Sequence, residues 1–281
     1  MGKNSLREAF LAVFELGLHL PVLVFLVLFL PFIGQPPAPR AAGFLFSLSF
    51  AMLFAFVYLL NKTTDMTEDS VNQPLNPGLR NAAPLIRTAA WTCLIVPIAW
   101  LAARRLWAAL GVYLVVAFFG YAYSQGISLG SRPRRLKNIF LVKNFTTAGL
   151  GWAPALVYAP MAFENRLAPG HLMSYVRITM LIFAISACCD IRDMKGDFLA
   201  GVRTLPNVIG VPATKLLCLL LLAAYAALAW RENFPPPLQA ALIATALWIV
   251  LADERRKRFY FHWGFLFWIL ALSLIALEAF L

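Results

Sequence analysis

Charge is what this 281-residue chain has least of, with Asp, Glu, Lys and Arg making up 13% of it, where soluble domains carry about 25%. Hydrophobic residues reach 61% against the usual 45–50% or so, which excludes water as the main solvent and leaves the bilayer. Histidine is scarce as well: His19, His171 and His262 are scattered along the chain, so they mark no general base and read as structural or interfacial. The four cysteines, Cys93, Cys188, Cys189 and Cys218, form no CxxC pair, and their place in or beside apolar stretches makes them small buried apolar groups. Alternating strand patterns are missing too. The apolar stretches are continuous, which excludes a transmembrane β-barrel. No A-x-A cleavage site follows the first apolar run, and Glu15 and His19 interrupt it, so Lys3 and Arg7 precede a retained span rather than a signal peptide.

What is present is a series of apolar stretches separated by short polar loops. They fall at 10–33, 43–60, 88–103, 106–123, 146–163, 172–189, 216–230, 238–252 and 259–281. Nine such stretches predict an all-α, polytopic membrane bundle of about nine transmembrane helices, forming one domain over residues 1–281. The third, seventh and eighth are shorter than the roughly 20 residues a bilayer asks for, so their ends are expected to run on into the loops. With nine passes the loops alternate sides, and the basic residues divide eighteen to five, with Arg177 left inside a span. By the positive-inside rule the richer side, which carries the N-terminus, is cytoplasmic. A net charge of +11 in a soluble protein would suggest nucleic acid. Here lipid head groups and insertion bias explain it, and no nucleic-acid partner is expected.

Two loops on the basic side carry clustered acids. One reads Asn61-Lys62-Thr63-Thr64-Asp65-Met66-Thr67-Glu68-Asp69, directly after the second span, and the other Asp190-Ile191-Arg192-Asp193-Met194-Lys195-Gly196-Asp197, directly after the sixth. If each helix continues, Asn61, Asp65 and Asp69 share one face, as do Asp190, Asp193 and Asp197. Like charges at that spacing destabilise a helix by a few tenths of a kcal/mol per pair, so helix stability does not explain them. A cation does. Oxygen ligands without histidine or cysteine favour a hard metal such as Mg²⁺, which takes one or two carboxylates plus phosphate oxygens. Each motif alone also reads as solvated acids, or acids paired with Lys62, Arg192 and Lys195. Together they say more, because Asp65 to Asp193 and Asp69 to Asp197 are both separations of 128 residues, which suggests two related halves facing one site.

These motifs resemble those of the UbiA superfamily of intramembrane prenyltransferases, which carry N-D-x-x-D-x-x-x-D after the second of nine helices and D-x-x-x-D after the sixth. The run from Asp190 to Pro206 is similar to the family's extended second motif, with its G-D and then G-x-x-T-L-P. Tyr123-Ser124, Arg134-Arg135-Leu136-Lys137 and Lys143-Asn144 resemble its basic loop after the fourth helix. The resemblance covers nearly the whole chain. It implies a central active-site cavity in which Asn61, Asp65, Asp69, Asp193 and Asp197, with Asp190 contributing, hold Mg²⁺ ions that grip the diphosphate of an isoprenyl donor. The sequence departs from the pattern at Lys62, where the family usually has a second acid; Glu68 or the Lys62 amine acting on phosphate are the candidates to compensate.

The chemistry so implied is ionisation of an allylic diphosphate and capture of the carbocation by an aromatic or quinone-precursor acceptor in the membrane. Arg80, Arg135, Lys137 and Arg203 are the candidate diphosphate-binding cations. Phe118, Tyr121 and Tyr123 are candidates for the apolar tunnel that takes the isoprenoid tail. Within the same family, a non-aromatic lipid acceptor or cyclisation of the prenyl chain is the alternative. A secondary transporter would hold its acids near the midplane in broken helices, whereas these sit at span ends. A CDP-alcohol phosphatidyltransferase would need a D-G, then A-R run that neither motif has, and a soluble prenyl synthase would lack the nine apolar spans.

Overall fold

The computed structural model describes residues 16–72, 77–128, 133–163, 171–230, 234–256 and 258–278. The start of the first predicted span with Lys3, Arg7 and Glu15, the loop residues Arg132, Arg166, Arg231 and Lys257, and residues 279–281 lie outside the described residues.

Continuous apolar sequence gives helices at all nine predicted places among the described residues. They are α1 (His19–Phe29), α2 (Pro37–Asn72), α3 (Ala83–Ala103), α4 (Trp107–Ser124), α5 (residues 146–163), α6 (Leu172–Leu199), α7 (Val211–Ala229), α8 (Pro236–Leu251) and α9 (Arg258–Glu278). Proline stands in the first turn of α3, α7 and α8, where its missing N–H costs nothing and its fixed φ suits a helix start. Two of the short spans do run on, since α3 begins at Ala83 and α7 at Val211. By length and composition α2, α3, α4, α6 and α7 can each cross a membrane. The segments His19–Phe32, Pro236–Leu251 and Tyr260–Leu274 are apolar but shorter. The β structure among the described residues is one antiparallel pair, Ile127–Ser128 with Pro133–Arg134, in the loop after α4.

Each helix packs on the next in sequence, and α9 returns onto α1, so the bundle closes into a ring. Across that ring α2 and α6 also touch. In its most apolar stretch α2 is 61% buried, against 22% for α3 and α7, so α2 is an interior helix and the other two face outward. Phe46, Phe50, Leu53, Phe56 and Leu60 of α2 are fully buried with Trp152 and Ile185. Leu85, Ile95, Leu220 and Ile243 point out of the bundle, the arrangement expected where lipid replaces water. The crossing of α2 and α4 depends on Gly120, because a Cβ there would lie 2.4 Å from the Val57 side chain.

The fifth pass departs from an ordinary helix. Residues Thr146–Trp152 and Pro154–Tyr158 are wound with π geometry, seen in the i→i−5 bonds from Ala153 to Ala148 and from Ala159 to Pro154. Gly149, Gly151 and Pro154 weaken regular winding here. The wider turn puts Thr146, Thr147, Gly151 and Trp152 together on the bundle's central cavity.

Candidate active site

Both acidic motifs are helical. The 36-residue α2 is about 54 Å long at roughly 1.5 Å per residue, well beyond the ~30 Å hydrocarbon core, so its C-terminal turns carry Asn61, Asp65 and Asp69 past the apolar stretch. Likewise α6 runs on through Asp190, Asp193 and Asp197 to Leu199. It ends in a left-handed Gly201 (φ 72°), which lets the Val202 N–H bond the Asp197 carbonyl at 2.8 Å. That is the Schellman termination. It anchors the backbone of the last aspartate and gives the glycine of the G-x-x-T-L-P run a physical reason.

In the first cluster Asp65 is buried and accepts from Lys137 Nζ at 2.6 Å and Arg135 Nη1 at 3.1 Å. The β-pair and the turn Leu136–Asn138 deliver these two cations from the loop after α4. Lys62, one turn below, donates to Asp69. The Asn61 Oδ1 accepts from Ser124 at the end of α4, at 3.2 Å.

In the second cluster Lys143 is buried between Asp190 (2.9 Å) and Asp197 (2.7 Å). It comes from the short helix Val142–Phe145 that precedes α5. Burial alone would lower the pKa of this ammonium. Asp190 and Asp197 outweigh that and hold it well above the usual lysine range. The neighbouring Asn144 donates to Asp190 at 2.9 Å and to Ser186 at 3.1 Å. Arg192 binds Asp193 through Nε at 2.6 Å and lies over the Phe261 ring, 5.7 Å from its centroid.

The two clusters face a single cavity of about 260 Å³. Asn61, Asp65, Asp69, Asp190, Asp193, Asp197, Lys137 and Tyr123 line it, and Arg135 pairs with the lining Asp65. Arg80 and Arg203 do not line it: both are exposed, and Arg203 stacks over Phe140 at 5.7 Å. Phe118 and Tyr121 are 54% and 40% exposed, on the outer face of α4. The cavity takes the opposite face, Val116, Phe119, Gly120 and Tyr123, spaced i, i+3, i+4 and i+7 as one side of a helix must be. The Glu68 side chain lies outside the described residues.

Three pairings that the sequence leaves open are fixed by the fold. Lys143 and Asn144 serve the second motif although they stand in the basic loop, where only the resemblance marked them. Arg192 and Lys62, inside the motifs, neutralise Asp193 and Asp69. Most distant in sequence, His19 of α1 and His262 of α9 meet in the cavity, with Nε2 and Nδ1 3.1 Å apart, and no local pattern links residues 243 positions apart.

Among the described residues no three Asp, Glu, His or Cys side chains converge closely enough to cage an ion by themselves. Each of the five aspartates is ion-paired, by Lys62, Arg135, Lys137, Lys143 or Arg192. An all-oxygen set of separate carboxylates suits Mg²⁺, which completes its shell with water and phosphate oxygens.

Comparison with known proteins agrees with this geometry. The sequence profile of the UbiA prenyltransferase family matches residues 20–270. The structure of a UbiA homolog from Archaeoglobus fulgidus bound to GPP and Mg²⁺ is similar over 94% of this chain and 96% of that one, with TM-score 0.65 and 16% identity. The same organism's homolog bound to DMAPP and Mg²⁺ gives TM-score 0.61 at 16% identity, over 92% of this chain and 97% of that one. At these identities the likeness is one of fold. No curated protein sequence matches the chain.

Proposed function

The chain belongs to the UbiA prenyltransferase family, and from that premise we propose that it transfers a prenyl group from an isoprenyl diphosphate, with Mg²⁺, to an aromatic or quinone-precursor acceptor. The observation that carries this reading is the division of one cavity. One end gathers five aspartates, three lysines and Arg192, and three turns earlier along α2 Phe54 lines the cavity with Trp152 and Phe265. A charged head group and an apolar chain fit those two ends. The solved homologs bound to GPP or DMAPP with Mg²⁺ support the choice of ligands.

Asp65 and Asp69 on α2, with Asp190, Asp193 and Asp197 on α6, are the residues that would hold the metal, and Asn61 adds an amide oxygen. When bound there, Mg²⁺ supplies positive charge to the departing diphosphate. The chain's own contribution is fixed positive charge beside the carboxylates. Lys137, Arg135 and Lys143, which pair with these carboxylates, also present the positive charge that diphosphate oxygens would bind. The allylic C–O electron pair leaves with the diphosphate, and these cations stabilise the charge that develops. Tyr123 and the aromatic end offer ring faces to the allylic cation and keep water from it. The N-terminus and both motifs face the cytoplasm from a protein integral to the plasma membrane.

The test is prenyl transfer by purified protein in lipid nanodiscs, with labelled allylic diphosphates of several lengths, an acceptor panel, and Mg²⁺ present or chelated. Wild type should form product and release diphosphate only with Mg²⁺, and an Asp65→Ala, Asp193→Ala double variant should do neither. Well-folded wild type that neither binds nor turns over any prenyl diphosphate with Mg²⁺ would sink the catalytic reading.

A further inference from the structure

Lys62 is left out of the chemistry above, yet it stands inside the first motif. Its side chain is 8% exposed, lines the cavity and donates to Asp69. Lys137 and Lys143 reach their aspartates from separate elements, the turn Leu136–Asn138 and the short helix Val142–Phe145. Lys62 belongs to α2 itself. It follows Asn61 and lies seven residues before Asp69, two turns along one face, so its charge stays among the α2 acids whatever the cavity holds. On α6, Arg192 binds its neighbour Asp193 and is also attracted by Asp69. The corner between Asp69 and Asp193 thus carries two cations, each on the same helix as its acid.

The Lys62–Asp69 pair could serve only as a tie along the helix. Its burial argues for more, because desolvation offsets most of the attraction in a buried ion pair, and an exposed lysine would tie the helix as well. Two carboxylate faces would suit one Mg²⁺ each. The α2 face, however, already carries a cation, and a divalent ion in the Asp69–Asp193 corner would meet two resident positive charges at close range, where a low dielectric makes their repulsion strong. Nor does the lining hold an excess of acid that calls for a second ion: its five aspartates are matched by Lys62, Lys137, Lys143, Arg135 and Arg192. We propose that Lys62 takes the place of a second Mg²⁺ and binds the donor diphosphate through its ammonium, so that this chain loads its donor with one metal ion. This rests on the transferase reading above and specifies how its donor site is charged. The ammonium carries three donors, enough for Asp69 and a phosphate oxygen together. Asp69 then positions the lysine, and the metal falls to the remaining aspartates.

The experiment uses the full chain in nanodiscs as wild type, Lys62→Asp and Lys62→Met. Mn²⁺, which shares the oxygen preference of Mg²⁺, replaces it, and the thiolo analogue of GPP, whose C–S bond resists ionisation, replaces the donor. Loss of the free Mn²⁺ spin-resonance signal counts the ions bound per chain, calorimetry reads analogue affinity, and thermal melts check folding. Wild type with the analogue should take up about one Mn²⁺ per chain, and Lys62→Asp about two. Lys62→Met should stay at about one ion and bind the analogue about tenfold more weakly, the scale of one lost charge-assisted hydrogen bond. About two ions in wild type would overturn the proposal, as would an unchanged count in folded Lys62→Asp. If Lys62→Asp does not fold, the wild-type count and Lys62→Met decide. Wild-type affinity in Lys62→Met would reduce the lysine to a helix tie. Wild type that binds no analogue with Mn²⁺ would instead remove the underlying transferase reading, and this one with it.

Discussion

Lys143 shows how a single side chain can tie together the carboxylates of the second motif. Its ammonium sits between two carboxylates, in side chains 4–10% exposed. Removing one partner of such a buried pair strands the other charge and costs about 3–5 kcal/mol. Lys143→Ala should therefore lower the thermal midpoint of the purified protein, and adding Asp190→Asn and Asp197→Asn should recover much of the loss, because the stranded charges are gone. Simple loss of a surface lysine would leave the midpoint unmoved. Lys62 makes a parallel case. The resemblance expects an acid at that position, and the structure shows its ammonium paired with Asp69, so this chain supplies a positive charge of its own beside the first motif.

At the scale of elements, the site depends on close helix approach. The Gly120 contact lets α4 lie against α2, and both Gly120 and Val57 line the cavity. Gly120→Ala should destabilise the fold by about 1–3 kcal/mol, the usual effect of overpacking, and Val57→Ala in the same chain should return at least half of it. Additive losses in that double-mutant cycle, read from thermal melts, would mean the two helices do not meet as described. The π-wound α5 also belongs to this scale. Hydropathy marks residues 146–163 as a span, but the i→i−5 winding that turns Thr147 and Trp152 inward arises from glycine, proline and the packing around them. Period-counting assumes 3.6 residues per turn and has no means of seeing it.

The whole molecule is a closed ring in which the basic end carries both motifs. Eighteen of its Lys and Arg residues fall in loops on one predicted side against five on the other, and insertion follows that bias. A fluorescent protein fused after Arg256 should light up in cells, since it folds in the cytoplasm, whereas one fused after Trp230 should stay dark. Equal signals, or the reverse, would invert the topology and place the diphosphate site on the other side of the membrane.

Composition and local spacing were enough to determine the solvent, the nine helical stretches and the two carboxylate faces, because each of these is a property of a short stretch of chain, while the loop that brings Arg135 and Lys137 was marked by the family resemblance. The choice among α4 faces was equally local in principle, yet its register had no reference: Phe118, Tyr121 and Tyr123 are all aromatic, and only the packing against α2 shows that the face of Tyr123 turns inward. Which cation meets which aspartate was decided by tertiary structure, since Lys143 reaches Asp190 across 47 residues and Lys137 reaches Asp65 across 72. The meeting of His19 with His262 was decided there too. It requires the ring of helices to close, α9 returning to α1, and closure is a cooperative result of all nine passes packing together rather than of any segment that carries either histidine.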